Sequence, residues 1–372
     1  MASDTGPEIT AALFAEWRAP RFGTSNPDCL TNPVWNWLVR SERSAYAASQ
    51  HFGFAAGENR EPGWSFARFG MSTTALTDGR TIHIAGEHED AYDPDFHIYN
   101  DVIVRNADGS IEILGYPREV FPPTDFHSAT VLRDRIIIVG SLGYPADRAA
   151  ETTQVAELDL GTFSIALRPT SGAPPGWIHR HSAVLDRNSI VVSGGLVATG
   201  DRARALRDNG DDWRLDLASW RWKRLTDRRW RQWQLTRADG HMNQLFRLRS
   251  LSRFHGRRWA PEHRESMEAM IEGERAAVRA AYGGDPDLAS YGTLYVPPVA
   301  HDVLPARDDE LGVHRIRVSG IVVRYVESPM SLKLVIEGAL PEATTATLVE
   351  DLRHKLSLVE RTEYDVREIG GN

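Results

Sequence analysis

At 372 residues, with 41% hydrophobic and 25% charged side chains, the chain is long and apolar enough for a large core or two to three domains, and its composition excludes disorder. Its 51 acidic against 43 basic residues leave a formal charge of −8, which disfavours nucleic acid as a partner. No apolar run approaches bilayer length, Met1–Glu8 lacks the basic and apolar regions of an export signal, and the single Cys29 precludes an internal disulfide, so a cytoplasmic protein without a membrane partner is expected.

Residues 1–64 match nothing else in the chain. Ile9 to Trp17 suits a short amphipathic helix, and Pro33 to Leu38 is aromatic-rich. This segment is expected to pack on, or close, the array that follows.

Residues 65–228 repeat one pattern three times. Thr74 to Gly86 reads TALTDGRTIHIAG, Ser128 to Gly140 reads SATVLRDRIIIVG, and Ser182 to Gly194 reads SAVLDRNSIVVSG. The copies stand 54 residues apart. Each opens with a hydroxyl residue and alanine, passes a polar turn, and ends a β-branched strand on glycine. The second half of each copy is a further apolar-turn-apolar hairpin, as in Val102–Val104, Asp108-Gly109, Ile111–Leu114. Four short antiparallel strands per copy make one blade. A lone blade cannot bury both faces, so blades stack on one another.

Residues 229–300 are rich in arginine and tryptophan. Pro261 to Tyr282 reads as a helix, with proline in its first turn, Glu262 and Glu265 early, Arg275 and Arg279 late, and Gly283-Gly284 beyond. Residues 301–372 read as an α+β unit: strands at 315–326, 332–337 and 358–366, and a helix at 341–356 with Leu348, Leu352 and Leu356 on one stripe.

The repeats resemble the kelch-repeat family, with degenerate copies. The likeness is carried by His127-Ser128-Ala129 and His181-Ser182-Ala183, by Gly140 and Gly194-Gly195, and by Asp159 with Phe163 and Asp216 with Trp220. Only the third copy has both glycines, and Thr73 stands where the others have histidine. The resemblance implies a mainly β fold: a kelch-like β-propeller of four-stranded antiparallel blades, here followed by a C-terminal α+β segment. Closed propellers use about four to eight blades. A closing contribution from residues 315–337 and the N-terminal segment is therefore expected.

The most unusual stretch lies between the second and third strands of the first copy: Glu87, His88, Glu89, Asp90, Tyr92, Asp93, Asp95, Phe96 and His97. It reads as a loop on a rigid scaffold, where binding residues concentrate. Tyr92 and Phe96 would anchor a partner, and the acids would steer a basic surface. A divalent-metal site and a plain solvated loop are the other readings; the spacing fits no EF-hand and Pro94 interrupts it. Arg221 to Arg264 interleaves arginines with Trp222, Trp230, Trp233, Phe246, Phe254 and Trp259. That pattern can bind single strands, but the acidic balance favours a covering segment. His127 and His181 recur in register, which suggests a structural hydrogen bond within each blade, and the cluster His179-Arg180-His181 is read the same way.

Among the sequence signatures of catalysis there is no Gly-x-Ser-x-Gly elbow, P-loop, His-Glu-x-x-His or dinucleotide fingerprint. No cofactor, metal or catalytic residue is assigned. Only three lysines occur, a skew that reads as the codon usage of a bacterial genome. The expectation is a non-catalytic protein-binding propeller, its sharpest reading an immunity or antitoxin protein that neutralises another protein with a basic surface. The alternative is a kelch-type enzyme acting on a sugar or related small molecule in the channel.

Overall fold

The computed structural model describes residues 9–54, 62–90, 93–199, 205–254, 257–307 and 310–369. The fold is mainly β, with several antiparallel sheets and seven helices among the described residues. The chain forms two compact units, Met1–Asp227 and Arg228–Asn372.

The N-terminal unit opens with helix α1 (Ala11–Trp17), strand β1 (Asp28–Cys29) and helices α2 (Pro33–Ser41) and α3 (Ala45–His51). Helix α2 starts because Asn32 caps it, its side chain accepting from Val34 N and Trp35 N, with Pro33 in the first turn.

The first copy forms β2 (Ser72–Ala75), β3 (Thr81–Ile84), β4 (Glu87–Asp90), β5 (Asp93–Ile98), β6 (Val102–Arg105) and β7 (Ile111–Gly115). The second forms β8 (Ser128–Leu132), β9 (Arg135–Val139), β10 (Val155–Asp159) and β11 (Ile165–Leu167). The third forms β12 (Ser171–Gly172), β13 (Ile178–His179), β14 (Ser182–Asp186), β15 (Ser189–Ser193), β16 (Leu196–Thr199), β17 (Ala205–Asp208), β18 (Trp213–Asp216) and β19 (Arg221–Arg224). Three sheets result, in the orders β1-β7-β6-β3-β2, β11-β10-β9-β8 and β12-β19-β18-β15-β14. The first strands β2, β8 and β14 lie side by side.

Two-residue alternation decides which neighbour each side chain meets. Ile136 and Ile138 pack with Ile82, Ile84, Val102 and Val104 of the first sheet. Ile137 and Val139 point the other way, onto Ile190, Val192, Leu215 and Trp222 of the third. The remaining face of the first sheet, at Ile103 and Ile113, is covered by Phe14, Trp35 and Leu38 of the N-terminal helices. The N-terminal segment thus packs on the array, adding one edge strand and a helical cover.

Two details differ from the sequence reading. The turn between Ala75 and Thr81 holds five residues, whereas Leu132 to Arg135 and Asp186 to Ser189 enclose two. Strand β2 therefore begins at Ser72, two residues before the hydroxyl that the 54-residue spacing selects. The histidine bonds also run between sheets and not within them: Ser72 Oγ meets His127 Nε2 at 2.8 Å, and Ser128 Oγ meets His181 Nε2 at 2.9 Å.

The C-terminal unit contains β20 (Arg231–Arg237), α4 (Leu245–Phe254), α5 (Pro261–Tyr282), α6 (Leu288–Thr293), β21 (Asp302–Val303), β22 (Val313–Val318), β23 (Ile321–Ser328), β24 (Ser331–Ile336), α7 (Glu342–Glu360) and β25 (Tyr364–Glu368). Its six-stranded sheet has the order β21-β22-β23-β24-β20-β25 and pairs antiparallel throughout. Residues 315–337 belong to this sheet and form no separate blade. The strand expected at 315–326 is a hairpin, turned by Ser319 and Gly320 with φ of 50° and 84°. Helix α7 runs on to Glu360 because Val359 extends its buried stripe, and Arg361 ends it at φ 54°. Among the described residues no helix is long and apolar enough to cross a membrane.

Candidate functional site

At the end of each second strand the chain makes an excursion before the third strand begins. In the first copy this is the hairpin β4–β5, in the second the segment 140–154, and in the third the hairpin β16–β17. These excursions share one end of the N-terminal unit.

The acidic stretch expected as a loop is this first hairpin. Glu87 pairs with Ile98, His88 with His97 and Asp90 with Asp93, with an irregularity after His88. Glu87 exchanges both backbone bonds with Phe69, at 2.8 and 2.9 Å. Glu87 and His88, expected as contact residues, are buried at the hairpin's base. Glu89, Asp90, Asp93 and Asp95 lie along the two strands. Tyr92, expected as an anchor, lies outside the described residues. Phe96 is 40% exposed. His97 is tucked between Phe22 and Tyr99, with centroids at 6.1 and 4.7 Å, and burial beside Arg68 pushes its pKa down to about 4.

Residues without a motif join the excursions. Tyr144, from segment 140–154, accepts from Ile98 N at 2.9 Å and meets the Phe96 ring edge-on at 5.7 Å. Arg118 stands over the Phe22 and Tyr144 rings, at 5.5 and 5.9 Å, and pairs with Asp147 at 3.3 Å. Trp177 donates from Nε1 to Leu142 O at 2.9 Å, packs on Ala198 and Leu206, and accepts from Ala198 N at 2.9 Å. A depression of about 240 Å³ lies among Arg118, Pro122, Pro123, Asp147, Gln154 and Trp177. No spacing rule marks these residues. The one available signal is an aromatic in an excursion between repeat strands.

Beneath this surface sits a buried ionic knot. The Arg68 side chain is fully buried and meets Asp101 at 2.5 Å, with Tyr99 and Trp64 rings 3.5 and 4.8 Å from its guanidinium carbon. Trp64 Nε1 donates to the same carboxylate at 2.8 Å, and Arg68 Nε donates to Ser65 O at 2.6 Å. A buried pair so fully bonded holds its surroundings in one arrangement.

The Ser72–His127 and Ser128–His181 pairs have the composition of a nucleophile and base. Their recurrence in register, between successive sheets, fits a structural link instead. Burial pushes His127 down to about 3 and His181 to about 4, so both are neutral imidazoles at pH 7. Among the described residues, no three His, Cys, Asp or Glu side chains gather as a metal-binding group.

No family model matches the chain, and no curated protein does. Among solved structures, one titled "Structure of YjhT" is similar over 46% of this chain and 57% of that one, with 14% identity and a TM-score of 0.33. The chain thus spans a little over half the length of that protein, and a likeness this distant says nothing of its chemistry.

Proposed function

We propose that the chain is a non-catalytic binding protein: a kelch-like propeller array whose excursion-bearing end grips another protein, in the manner of an immunity or antitoxin protein. One observation supports this above the others. The three excursions are fastened to one another through Tyr144 and Trp177, while Phe96 stays 40% exposed on the surface they form. An aromatic held ready on an ordered wall needs little further ordering when a partner covers it. The acids of the hairpin would steer a basic surface toward it. The depression of about 240 Å³ favours the second reading, an enzyme acting on a sugar or related small molecule.

The test begins with recovery of a partner from a lysate of the source organism and continues with binding kinetics of that partner. Phe96→Ala should speed dissociation about tenfold. Asp90→Asn, Asp93→Asn and Asp95→Asn together should slow association and flatten its salt dependence. A partner whose rates ignore both changes would sink the proposal. Turnover of a small molecule that fills the depression would establish the second reading.

A further inference from the structure

Ahead of β2, β8 and β14 the repeats carry a second shared device. Gly70, Phe126 and Arg180 occupy matching points, and all three backbones are left-handed, with φ of 63°, 48° and 54°. Phe126 N donates to Gly70 O at 2.9 Å, and Arg180 N donates to Phe126 O at 2.8 Å, so each sheet passes one bond to the next. The side chains continue the series. A Cβ on Gly70 would fall 2.4 Å from Phe126 N and 2.8 Å from its Cγ, so only glycine leaves the ring its seat. The Arg180 guanidinium lies 3.6 Å from the Phe126 centroid. Left-handed backbone is unfavourable for Phe and Arg, and such conformations gather where function requires them.

Arg180 is exposed, and no carboxylate among the described residues pairs with it. Arginines nearer the strand pairs behave otherwise, although Arg133 and Arg187 in the strand turns are exposed like Arg180. Arg80, Arg135, Arg168 and Arg214 each reach an acid, at 2.8, 2.8, 2.7 and 3.1 Å. Next to it, His179 is 1% exposed and its Nδ1 has no hydrogen-bond partner. His179 sits in the field of Arg180, Arg148 and His181, and burial leaves it an uncharged imidazole at pH 7.

We propose that Arg180 is an anion-binding residue of the N-terminal unit and that the group it takes is a single carboxylate. Stacking on Phe126 occupies the face of the guanidinium and leaves its rim donors in plane, the arrangement that meets both oxygens of a carboxylate. The negative charge of the whole chain works against a dianion such as phosphate. The inference does not depend on the partner-binding reading. The carboxylate can belong to a small acid, or to an Asp, Glu or chain terminus of a polypeptide.

The test follows the His179 imidazole by NMR in ¹³C-histidine-labelled protein, its signal assigned with His179→Gln. Sodium acetate, a capped peptide with one glutamate, phosphate and chloride are added in turn at constant ionic strength. A saturable response to acetate or to the peptide is expected, with the tighter of the two identifying the source of the carboxylate. Arg180→Lys should weaken it about tenfold, and Arg180→Gln about a hundredfold. In the unmutated protein the same probe should shield Arg180 from phenylglyoxal, read by peptide mass, which removes any dependence on variants folding. Phosphate binding as tightly as the carboxylates would overturn the proposal. So would a response that merely follows chloride, or one that survives in Arg180→Gln unchanged.

Discussion

Both units bury carboxylates, Asp101 with Arg68 in the N-terminal unit and Glu327 and Glu360 in the C-terminal one, but they join their elements differently. The N-terminal unit divides its apolar side chains among several clusters between thin sheets and links the sheets with neutral pairs, Ser72 with His127 and Ser128 with His181. The C-terminal unit has one core on one six-stranded sheet, and it buries carboxylates. Glu327 accepts from Tyr291 Oη at 2.9 Å, Tyr295 Oη at 2.5 Å and His314 Nε2 at 3.2 Å, and pairs with Arg249. Glu360, fully buried, takes Arg237 at 2.6 Å and Gln244 N at 3.0 Å. A repeat array needs a link that can be copied from sheet to sheet, and a hydroxyl with an imidazole imports no charge at each copy. A single sheet with one set of helices can concentrate charge at a few points, provided each is fully bonded.

The largest expected effect tests the ionic half of that contrast. Glu327→Ala would leave Arg249, Tyr291, Tyr295 and His314 without their shared acceptor and should destabilise the C-terminal unit by about 3–5 kcal/mol. Denaturant unfolding followed separately in the two units should show the loss in that unit alone. An equal loss in both would mean the division into two cores is wrong.

Next comes the apolar half. Ile138 is 1% exposed between the first and second sheets, so Ile138→Ala should cost the N-terminal unit about 2–4 kcal/mol. A loss below about half a kcal/mol would place β9 at an exposed edge.

The last effect is one of pH, and it separates the units most sharply. Burial pushes His83, His97 and His181 down to about 4, and His127 and His179 to about 3. As pH falls below 6.5 the unfolded chain takes protons that the folded chain refuses, so stability that is complete above 6.5 drains away toward pH 4. Glu327 is held below the usual glutamate range by its hydrogen bonds and by Arg249, against the opposing effect of burial, and its contribution is lost only below about 4.5. Thermal unfolding between pH 7 and 5 should lower the N-terminal transition and spare the C-terminal one. If both fall together, the buried imidazoles are not the source.

Much of the fold was legible where structure is local. The run Ile136–Val139 alternates between two neighbours because β side chains do, and the helix 261–282 announces itself by Pro261 and Gly283. The acidic stretch misled for a physical reason. Acids and Pro94 look like loop, whereas pairing of His88 with His97 depends on the strands it extends. Phe96 stood out in the sequence and Tyr144, Arg118 and Trp177 did not, because their contacts reach across 21 to 96 residues of chain. Arg68 and Asp101, which pair beneath the first sheet's hairpin, carry no spacing signature either.

The segment around β1 sets an order of events. Gly23 N donates to Tyr116 O, Cys29 pairs with Leu114, and Asn26 exchanges two bonds of 2.8 Å with the backbone of Ile165. On a ribosome these residues emerge before their partners, and none can be seated until more than eighty further residues have followed. A stretch synthesised before the strands it meets is therefore a late arrival in assembly, a latch that closes over the outer strands of two sheets already formed.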